Sequence, residues 1–441
     1  MGTCWIRPVA RHGVNELGVP HMHDSDSSGW LCRAPLPIAS IVVPGSLLLL
    51  LVVGCGSGPA SLPTAAVRDS AGVTIVENQE GIPPDGGGWS LAASPSLVIG
   101  GLDGPEDSGL YRVRGAARLP DGRIAVANDG SLEVKIFGVD GAQLASLGGE
   151  GQGPGEFNSV TLTGRLGDTL VALDRRLRRV SLVHPDEGFV RSFTIAEPVT
   201  EFPLGGWFFE SGSVLIEDLS LGPDGGFEDG FGRRPARLKS CDLTGALHSD
   251  FGELPGSEEF TITRQGEHGT AIGISSVPFG KSPQVAVAGD RLFFGSQDSY
   301  EISVFDSRAA LRTLVRLARS PVRVTDSDLA AYISAELEGS DEEKARAERE
   351  RFEQMPMMEF RPAHGAISAD REGFLFVEEF RAPGMESIPV NVFDPDGRLV
   401  GRFEISADTE ILEIGPGYLL ALYEDSMDVE FVHLYELTRP G

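Results

Sequence analysis

Cysteine is scarce in this chain: the 441 residues include four, Cys4, Cys32, Cys55 and Cys241. Their spacing matches none of the paired patterns by which cysteine and histidine hold zinc. Histidine is also sparse, with eight residues, and none forms a recognisable catalytic arrangement with a serine or cysteine. The Gly-x-Ser-x-Gly turn of many serine hydrolases is absent. These absences exclude a zinc module of the familiar spacings and leave no motif for nucleophilic hydrolysis.

Positive charge is in short supply as well. The chain has 37 lysine and arginine residues against 65 aspartate and glutamate residues, for a formal net charge of −28 at pH 7. A surface with this excess of acid repels nucleic acid and anionic membrane surfaces, so we expect no nucleic acid as a partner. Cations and basic ligands remain open, and the simplest interpretation is a well-solvated protein surface.

A long hydrophobic run is also missing. The longest apolar stretch lies within residues 35–53, includes Leu47–Leu51 and is interrupted at Pro44. It is shorter than the roughly 20 residues of a membrane-spanning helix and suits the apolar region of an export signal. Residues 1–34 before it are predicted to be an unstructured leader, which an over-long gene start would explain.

The export signal ends at Leu51-Val-Val-Gly-Cys55, which resembles a bacterial lipobox. The resemblance implies cleavage before Cys55 and attachment of a lipid to its thiol, with an uncleaved N-terminal anchor as the alternative. We therefore expect a lipoprotein signal peptide at 35–55 and a flexible tether at 56–72. The protein would be held in the cell envelope, at the periplasmic face or the outer membrane. Cys241 would then have no partner, so no disulfide bond is predicted.

The organised part of the chain centres on residues 110–156. Apolar and polar residues alternate there in short runs, which are separated by Asp121-Gly122 and Asp140-Gly141. Alternation between glycine-containing turns is the pattern of antiparallel strands. The stretch is therefore predicted to be one four-stranded antiparallel unit of about 45 residues.

The turns of this unit recur along the chain. Turns between a first and a second strand are predicted at Asp121-Gly122, Gly167-Asp168, Ser211-Gly212, Gly289-Asp290, Glu372-Gly373 and Pro416-Gly417. Turns between a third and a fourth strand are predicted at Asp140-Gly141, Glu187-Gly188, Thr244-Gly245, Ser307-Arg308 and Asp396-Gly397. Repeats of roughly 40–50 residues are typical of propeller blades. The predicted fold is all-β: a six-bladed β-propeller of four-stranded antiparallel blades over residues 73–441.

The two ends of this domain are predicted to share one blade. Residues 96–100 have the pattern of a fourth strand, but no three strands precede them. The C-terminal segments 410–413, 418–423 and 429–437 supply three strands without a fourth. Pairing between these strands would close the ring and cover its open edges.

The glycine-rich run Gly148–Phe157, preceded by VAND and VKIFGVDG, resembles an NHL-type repeat. The chain as a whole resembles bacterial six-bladed β-propeller lipoproteins. Because NHL-type repeats build six-bladed propellers, the resemblance implies the fold that the turns predict. It leaves the activity open, because propellers host many unrelated functions.

Between blades four and five, residues 325–358 are predicted to form a helical insertion. Thr325-Asp-Ser-Asp328 and Ser340-Asp-Glu-Glu343 both have the pattern of a capping box at a helix start. Two other long insertions, at 221–232 and 252–282, are expected to be loops. Long loops in compact domains are often functional, so all three insertions suit a partner.

Acidic residues follow the second strand of every predicted blade. They are Asp129, Asp174, Asp218, Asp298, Glu379 and Asp425. Equivalent turns of a propeller lie on one rim, where crowded carboxylates raise one another's pKa unless a cation joins them. This rim is a hypothetical site for a cation, with calcium as the candidate cofactor, or for a cationic ligand. The alternative is that aspartate favours such turns because its side chain bonds the local backbone.

Two further stretches have a suggestive composition. Residues 221–231 are rich in glycine and acid, like a calcium-binding loop, but lack the spacing of an EF-hand. Residues 174–180, Asp-Arg-Arg-Leu-Arg-Arg-Val, are the densest basic stretch of the chain. Because strand alternation continues through them, we expect the arginines on a strand face and a turn. A basic patch for an anionic ligand is the alternative.

Two functions of different class follow. The first is a lipid-anchored recognition scaffold that binds an envelope protein or a small ligand through its rim. The second is a metal-dependent hydrolase or lyase, similar to lactonase-like propellers, which use Glu, Asn and Asp at the central channel. Three or four convergent carboxylate, Asn or His groups in the channel would favour the enzyme. A channel lined by Gly, Val and Ser would favour recognition.

Overall fold

The computed structural model describes residues 65–81, 86–101, 109–219, 228–266 and 269–440. The leader, the signal peptide, the lipidation site predicted at Cys55 and most of the acidic stretch 221–231 lie outside the described residues. Within the described ranges, no helix is long and apolar enough to cross a membrane. The described chain forms six sheets in succession, each built on antiparallel strands, with one further sheet inserted among them.

The first three sheets each have four strands, which we number from first to fourth in chain order. Their bounds are Val113–Arg118, Ile124–Asn128, Glu133–Phe137 and Gln143–Gly148 in blade one; Thr161–Leu166, Thr169–Asp174, Arg179–His184 and Gly188–Thr194 in blade two; and Pro203–Phe209, Ser213–Asp218, Ala236–Cys241 and Leu247–Leu254 in blade three.

The last three sheets follow the same order. Their bounds are Gln284–Ala288, Arg291–Gly295, Glu301–Asp306 and Leu311–Ala318 in blade four; Ile367–Ala369, Leu375–Glu378, Ser387–Phe393 and Leu399–Ser406 in blade five; and Thr409–Gly415, Tyr418–Glu424 and Glu430–Thr438 in blade six, completed by Ser90–Leu91 and Leu97–Gly100.

The burial of each strand follows its place in the sheet. Every residue of Ile124–Asn128, the second strand of blade one, is buried because neighbouring blades cover both of its faces. Gln143–Gly148, the fourth strand, alternates between half-buried and exposed residues, as a strand at the periphery should. Outer strands can therefore be told from inner strands in the sequence, because outer strands alternate polar and apolar residues and inner strands are mostly apolar.

Six hydrophobic clusters hold neighbouring blades together. One packs Ala125 and Val134 of blade one against Leu170 of blade two. Another joins the last blade to the first, with Val432 of blade six and Ile124 of blade one in the same cluster. The first strands contact one another in blade order, and the first strand of blade six contacts that of blade one. The predicted six-bladed β-propeller is confirmed.

The predicted turns and the shared blade are confirmed as well. All eleven turns lie between the strands for which they were predicted. Gly122 has φ 91° and Gly141 has φ 81°, a left-handed conformation that glycine adopts without steric cost. In blade six, Leu97–Gly100 pairs antiparallel with Glu430–Thr438, with Ile99 opposite Val432. Residues from both ends of the described chain thus complete one sheet.

The N-terminal strands differ from expectation. Ala66–Ser70, which the sequence placed in a flexible tether, pairs antiparallel with Val73–Gln79. Val73–Gln79 in turn pairs in parallel with Leu311–Ala318, so blade four carries six strands. The tether prediction for 66–70 is wrong because the fourth strand of blade four offers a free edge to which this hairpin adds.

The insertions carry more regular structure than the sequence indicated. Gly230–Arg233, Glu258–Gly266 and Gly269–Ser276 form a three-stranded antiparallel sheet, which we call the insertion sheet. The expected helices are α1, Asp326–Glu336, and α2, Glu342–Phe352. The helices pack on the segment after the insertion sheet, with ring centroids 5.5 Å apart for Phe279 and Tyr332.

One of the two predicted capping boxes is confirmed. Thr325 caps α1: its side chain accepts from the backbone N–H of Asp328, and the Asp328 carboxylate accepts from the N–H of Thr325. The box predicted at Ser340–Glu343 is wrong by one residue. Asp341 caps α2 instead and accepts from the N–H of Lys344 at 2.8 Å, because a carboxylate at this position satisfies a free helix-terminal donor directly.

Candidate ligand-binding site

One face of the propeller carries all the candidate features. In an antiparallel four-stranded blade, the turn after the second strand and the connection after the fourth strand emerge at the same end. The six acidic residues, the insertion sheet and both helices occupy these connections. We call this side the upper face and the opposite side the lower face.

Three of the six predicted acids are committed to local backbone. Asp174 is fully buried and accepts from the N–H groups of Asn158 at 2.7 Å and Leu177 at 2.9 Å. Asp218 accepts from two successive N–H groups, and so does Asp425 from donors two and four residues ahead. Asp174 and Asp425 therefore close their own turns, as the alternative interpretation predicted, whereas Asp218 holds the preceding connection at Glu201 and Phe202 against the second strand.

The other three acids are paired with cations of the protein itself. Asp129 lies 2.8 Å from Arg112, and Asp298 lies 2.8 Å from Arg233 and 3.1 Å from Lys281. Burial would raise the pKa of Asp298, but hydrogen bonds from these two cations outweigh it and hold the pKa below its usual range.

Glu379, the last of the three, pairs with Arg319 and accepts from the amide of Asn391 at 2.7 Å. Among the described residues, no group of three or more His, Cys, Asp or Glu side chains is placed to hold a metal ion. Because calcium prefers six to eight free oxygen ligands, these six carboxylates fit a resident calcium ion poorly.

The first strands also offer few metal ligands. Across the six described first strands, the only carboxylates are Glu410 and Glu413, and asparagine and histidine are missing. Glu413 faces the lower end, where it accepts from the N–H of Arg118 at 2.6 Å and so links blade six to blade one. Arg118 in turn lies over the ring of Tyr418, 4.8 Å from its centroid.

An unexpected feature of the upper face is a group of guanidinium side chains. It consists of Arg112 and Arg114 from blade one and Arg175 and Arg176 from the turn of blade two, and we call it the arginine cluster. Arg175 Nη1 donates to the carbonyl oxygen of Leu204 in blade three at 2.9 Å. Burial, and then repulsion from Arg114, lowers the pKa of Arg175.

Repeated irregularities in the first strands create this geometry. The pairing register of blade one shifts between Val113 and Ala116, which leaves Arg114 in a bulge next to the axis. Gly115 follows it with φ 106°, and a Cβ there would lie 3.0 Å from the carbonyl oxygen of Leu162. A matching register shift in blade three frees Leu204, the residue to which Arg175 donates.

The arginine cluster has more donors than acceptors. The Nε atoms of Arg114 and Arg175 are buried and have no hydrogen-bond partner. Within the described part of the chain, Arg114 makes no hydrogen bond or ion pair at all. Each such donor carries a desolvation cost that a missing acceptor leaves uncompensated.

A partly buried carboxyl group lies beside the same first strand of blade three. Glu217 lies opposite Gly205 in the pairing of the first and second strands. A Cβ atom added to Gly205 would lie 3.8 Å from Glu217 Oε2 and 3.3 Å from the indole of Trp207, so the carboxyl group and the indole both lie against this glycine. Burial, with a smaller contribution from Glu259, raises the pKa of Glu217 to about 7. No side chain of the described ranges donates a hydrogen bond to Glu217.

A different group of polar side chains lies buried between blades four and five. His364 is fully buried, and its ring lies 5.6 Å from that of Tyr300, whose hydroxyl accepts from Asn391. Burial lowers the pKa of His364 to about 4. Because this network is closed to solvent, we assign it to the packing of the two blades.

No family model matches the sequence, and no curated protein matches it. Solved structures do match. A protein assigned as exported from Bacteroides fragilis has 11% identity and a TM-score of 0.45, over 83% of this chain and 100% of that one. A DUF4221-family protein from Bacteroides vulgatus has 11% identity and a TM-score of 0.48, over 80% and 99%.

A gluconolactonase from Xanthomonas campestris has 13% identity and a TM-score of 0.38, over 80% of this chain and 98% of that one. At these distances the similarity carries no argument about function. The function has to be inferred from the residues of this chain.

Proposed function

We propose that this protein is a lipid-anchored, extracytoplasmic β-propeller that recognises a ligand on its upper face. The observation that carries the proposal is the composition of the six described first strands, whose carboxylates are Glu410 and Glu413, where a metal-dependent enzyme needs three or four convergent ligands. The insertions support it, because the insertion sheet and both helices enlarge the same face. The ligand is a small molecule or an envelope protein, and nucleic acid is disfavoured by the net charge of −28.

The membrane anchor in this proposal is a lipid attached to Cys55. From Cys55 to the strand that begins at Ala66 the chain can reach roughly 35–40 Å when fully extended. Because that strand lies at the outer edge of blade four, the anchor would hold the propeller by this edge, close to the membrane. Replacement of Cys55 by serine should abolish incorporation of a labelled fatty acid and release the protein from the membrane fraction. A Cys55→Ser protein that stays in the membrane would support the uncleaved anchor.

Recognition on the upper face is testable with the purified full-length protein. A ligand that binds the folded state raises the thermal midpoint, by about 2.7 kcal/mol of stability at a hundred-fold excess over Kd. We expect hits from a small-molecule library to lose their effect in Trp207→Ala and to keep it in Glu210→Gln, which changes the lower face. Compounds that still raise the thermal midpoint of Trp207→Ala, but no longer raise that of lower-face variants, would contradict a binding site on the upper face.

One observation favours the alternative, a hydrolase or lyase. Glu217 has a pKa of about 7, which suits a general acid or base near neutral pH. For the calcium ion that a lactonase-like mechanism would use, the described residues offer no group of three or more His, Cys, Asp or Glu side chains. The alternative therefore predicts turnover of lactones or esters that is lost in Glu217→Gln. If the wild-type protein turns over no lactone or ester faster than Glu217→Gln does, the result supports the recognition function.

A further inference from the structure

We propose that the arginine cluster binds an oxyanion, namely a carboxylate, phosphate or sulfate group carried by a small molecule. This inference rests on the proposed function, because it names the chemical class of the ligand for the same upper face. It starts from the basic stretch 174–180 and adds two arginines from the neighbouring blade that no sequence spacing connects to it.

Several N–H donors of the arginine cluster have no acceptor. Arg175 commits Nη1 to the carbonyl oxygen of Leu204 but leaves its buried Nε without an acceptor. Arg114 leaves its buried Nε and the rest of its fork without one, among the described residues. A planar fork of N–H groups matches two oxygens of a carboxylate or phosphate, so an oxyanion would bond the Nη groups of Arg114 and Nη2 of Arg175, which the buried Nε atoms orient but cannot replace.

The arginine cluster also concentrates positive charge. Four guanidinium groups meet here, and Asp129 pairs with one of them, Arg112. Two other acids lie nearby: Asp174 already accepts from backbone donors and from Ser159, and the buried Glu430 accepts from the N–H of Val113 at 2.7 Å, so four guanidinium groups face three carboxylates. The site is therefore locally positive in a protein whose net charge is −28. At physiological salt, charges more than about 8 Å apart are largely screened, so the cluster and not the distant acids decides what binds.

The arginine cluster can also be reached from solvent. Arg176 is exposed, and Arg112 is 41% exposed at its side chain, so the cluster opens to solvent at its rim. Arg114 lies deeper, in the bulge of the first strand of blade one, and the Arg175 side chain reaches from the turn of blade two to Leu204 in the bulge of blade three. The open rim therefore offers a small oxyanion a way into the cluster.

The test compares inorganic phosphate, sulfate and citrate with sodium chloride at the same ionic strength, using the full-length protein. We expect at least one oxyanion to raise the thermal midpoint saturably beyond the chloride reference. Arg114→Gln and Arg175→Gln should each weaken its affinity by about tenfold or more. Arg312→Gln, which removes an equal charge from an exposed position in the fourth strand of blade four, should leave the affinity unchanged.

Three results would overturn the inference. The first is a wild-type thermal midpoint that rises equally with oxyanion and with chloride. The second is an oxyanion affinity that is unchanged in both Arg114→Gln and Arg175→Gln. The third is a loss of affinity in Arg312→Gln as large as in those two variants. Arg114→Lys guards against a misfolded variant, because it keeps the charge but removes the fork and should bind with intermediate affinity. If neutral or cationic compounds bind in a manner that depends on Trp207 while oxyanions do not, the oxyanion inference fails and the proposed function stands.

Discussion

Ile99 and Val432 face each other across blade six, although one lies near the start of the described chain and the other near its end. Both belong to the hydrophobic cluster that joins blade six to blade one. The pairing therefore ties the ends of the described chain together at the point where the ring would otherwise have an open edge.

Truncation of Ile99 tests how much this pairing stabilises the ring. Ile99 is 1% exposed, so Ile99→Ala should lower the free energy of unfolding by about 2–5 kcal/mol, measured by denaturant titration. Val98 on the same strand is 48% exposed, and Val98→Ala should change it by less than about 0.5 kcal/mol. Equal effects of the two substitutions would show that the strand does not pack as described.

Glu217 should make stability depend on pH in a predictable direction. Its pKa is raised from 4.5 to about 7, so between these pH values the unfolded chain loses the proton while the folded protein keeps it. The contribution of Glu217 to stability is therefore complete below pH 4.5 and falls as pH rises to 7. Each pKa unit corresponds to about 1.4 kcal/mol.

The corresponding variant is Glu217→Gln, which removes the titrating group. Between pH 5 and pH 8 the free energy of unfolding of the wild type should fall by about 1–3 kcal/mol more than that of Glu217→Gln. Glu210→Gln, on the exposed lower face, serves as the control and should follow the wild type. A Glu217→Gln curve parallel to the wild-type curve would contradict the assigned pKa.

Calcium should leave the protein unaffected. The six acids of the upper face either accept from local backbone or pair with arginine and lysine, so they offer an added ion few free oxygens. We expect the thermal midpoint to stay constant with millimolar calcium and with chelator. A reversible rise of several degrees with calcium would restore the metal-dependent alternative.

The cap of α1 can be tested without disturbing the blades. Thr325→Ala removes the acceptor for the N–H of Asp328, at a cost of about 1 kcal/mol to the helix. Amide hydrogen exchange should accelerate in Asp326–Glu336 and stay unchanged in the blades. Ser327→Ala, at an exposed position of the first turn, should have little effect. Exchange that is unchanged in Thr325→Ala would mean that tertiary contacts alone hold the helix.

The fold could be predicted because its signals are local. Asp121-Gly122 and its equivalents mark turns that only a few residue types adopt, and they recur once per blade. The parallel pairing of Val73–Gln79 could not be predicted, because it depends on a free edge that exists only after blade four has formed. The insertion sheet left a weaker signal, the alternation of Phe260 and Ile262 with threonine, inside a stretch that length alone assigned to a loop.

The candidate site was harder to predict for the same reason. The acids were visible in the sequence, yet their partners, such as Arg112 for Asp129 and Arg233 for Asp298, come from separate segments. The arginines of 174–180 were visible too. Their relation to Arg114 exists only between blades, because Arg175 comes from the turn of blade two and Arg114 from a bulge of blade one.

Fluorescence of Trp207 tests the central claim most directly, because its indole lies on Gly205, next to the acceptor of Arg175. Titration of the full-length protein with citrate or phosphate, against chloride at equal ionic strength, should change the Trp207 emission saturably. The change should vanish in Trp207→Phe, which leaves the other three of the four tryptophans in place, and should require about tenfold more ligand in Arg114→Gln. Trp207 emission that does not change with the oxyanion, or that changes at the same ligand concentration in Arg114→Gln as in the wild type, would contradict a ligand site at the arginine cluster.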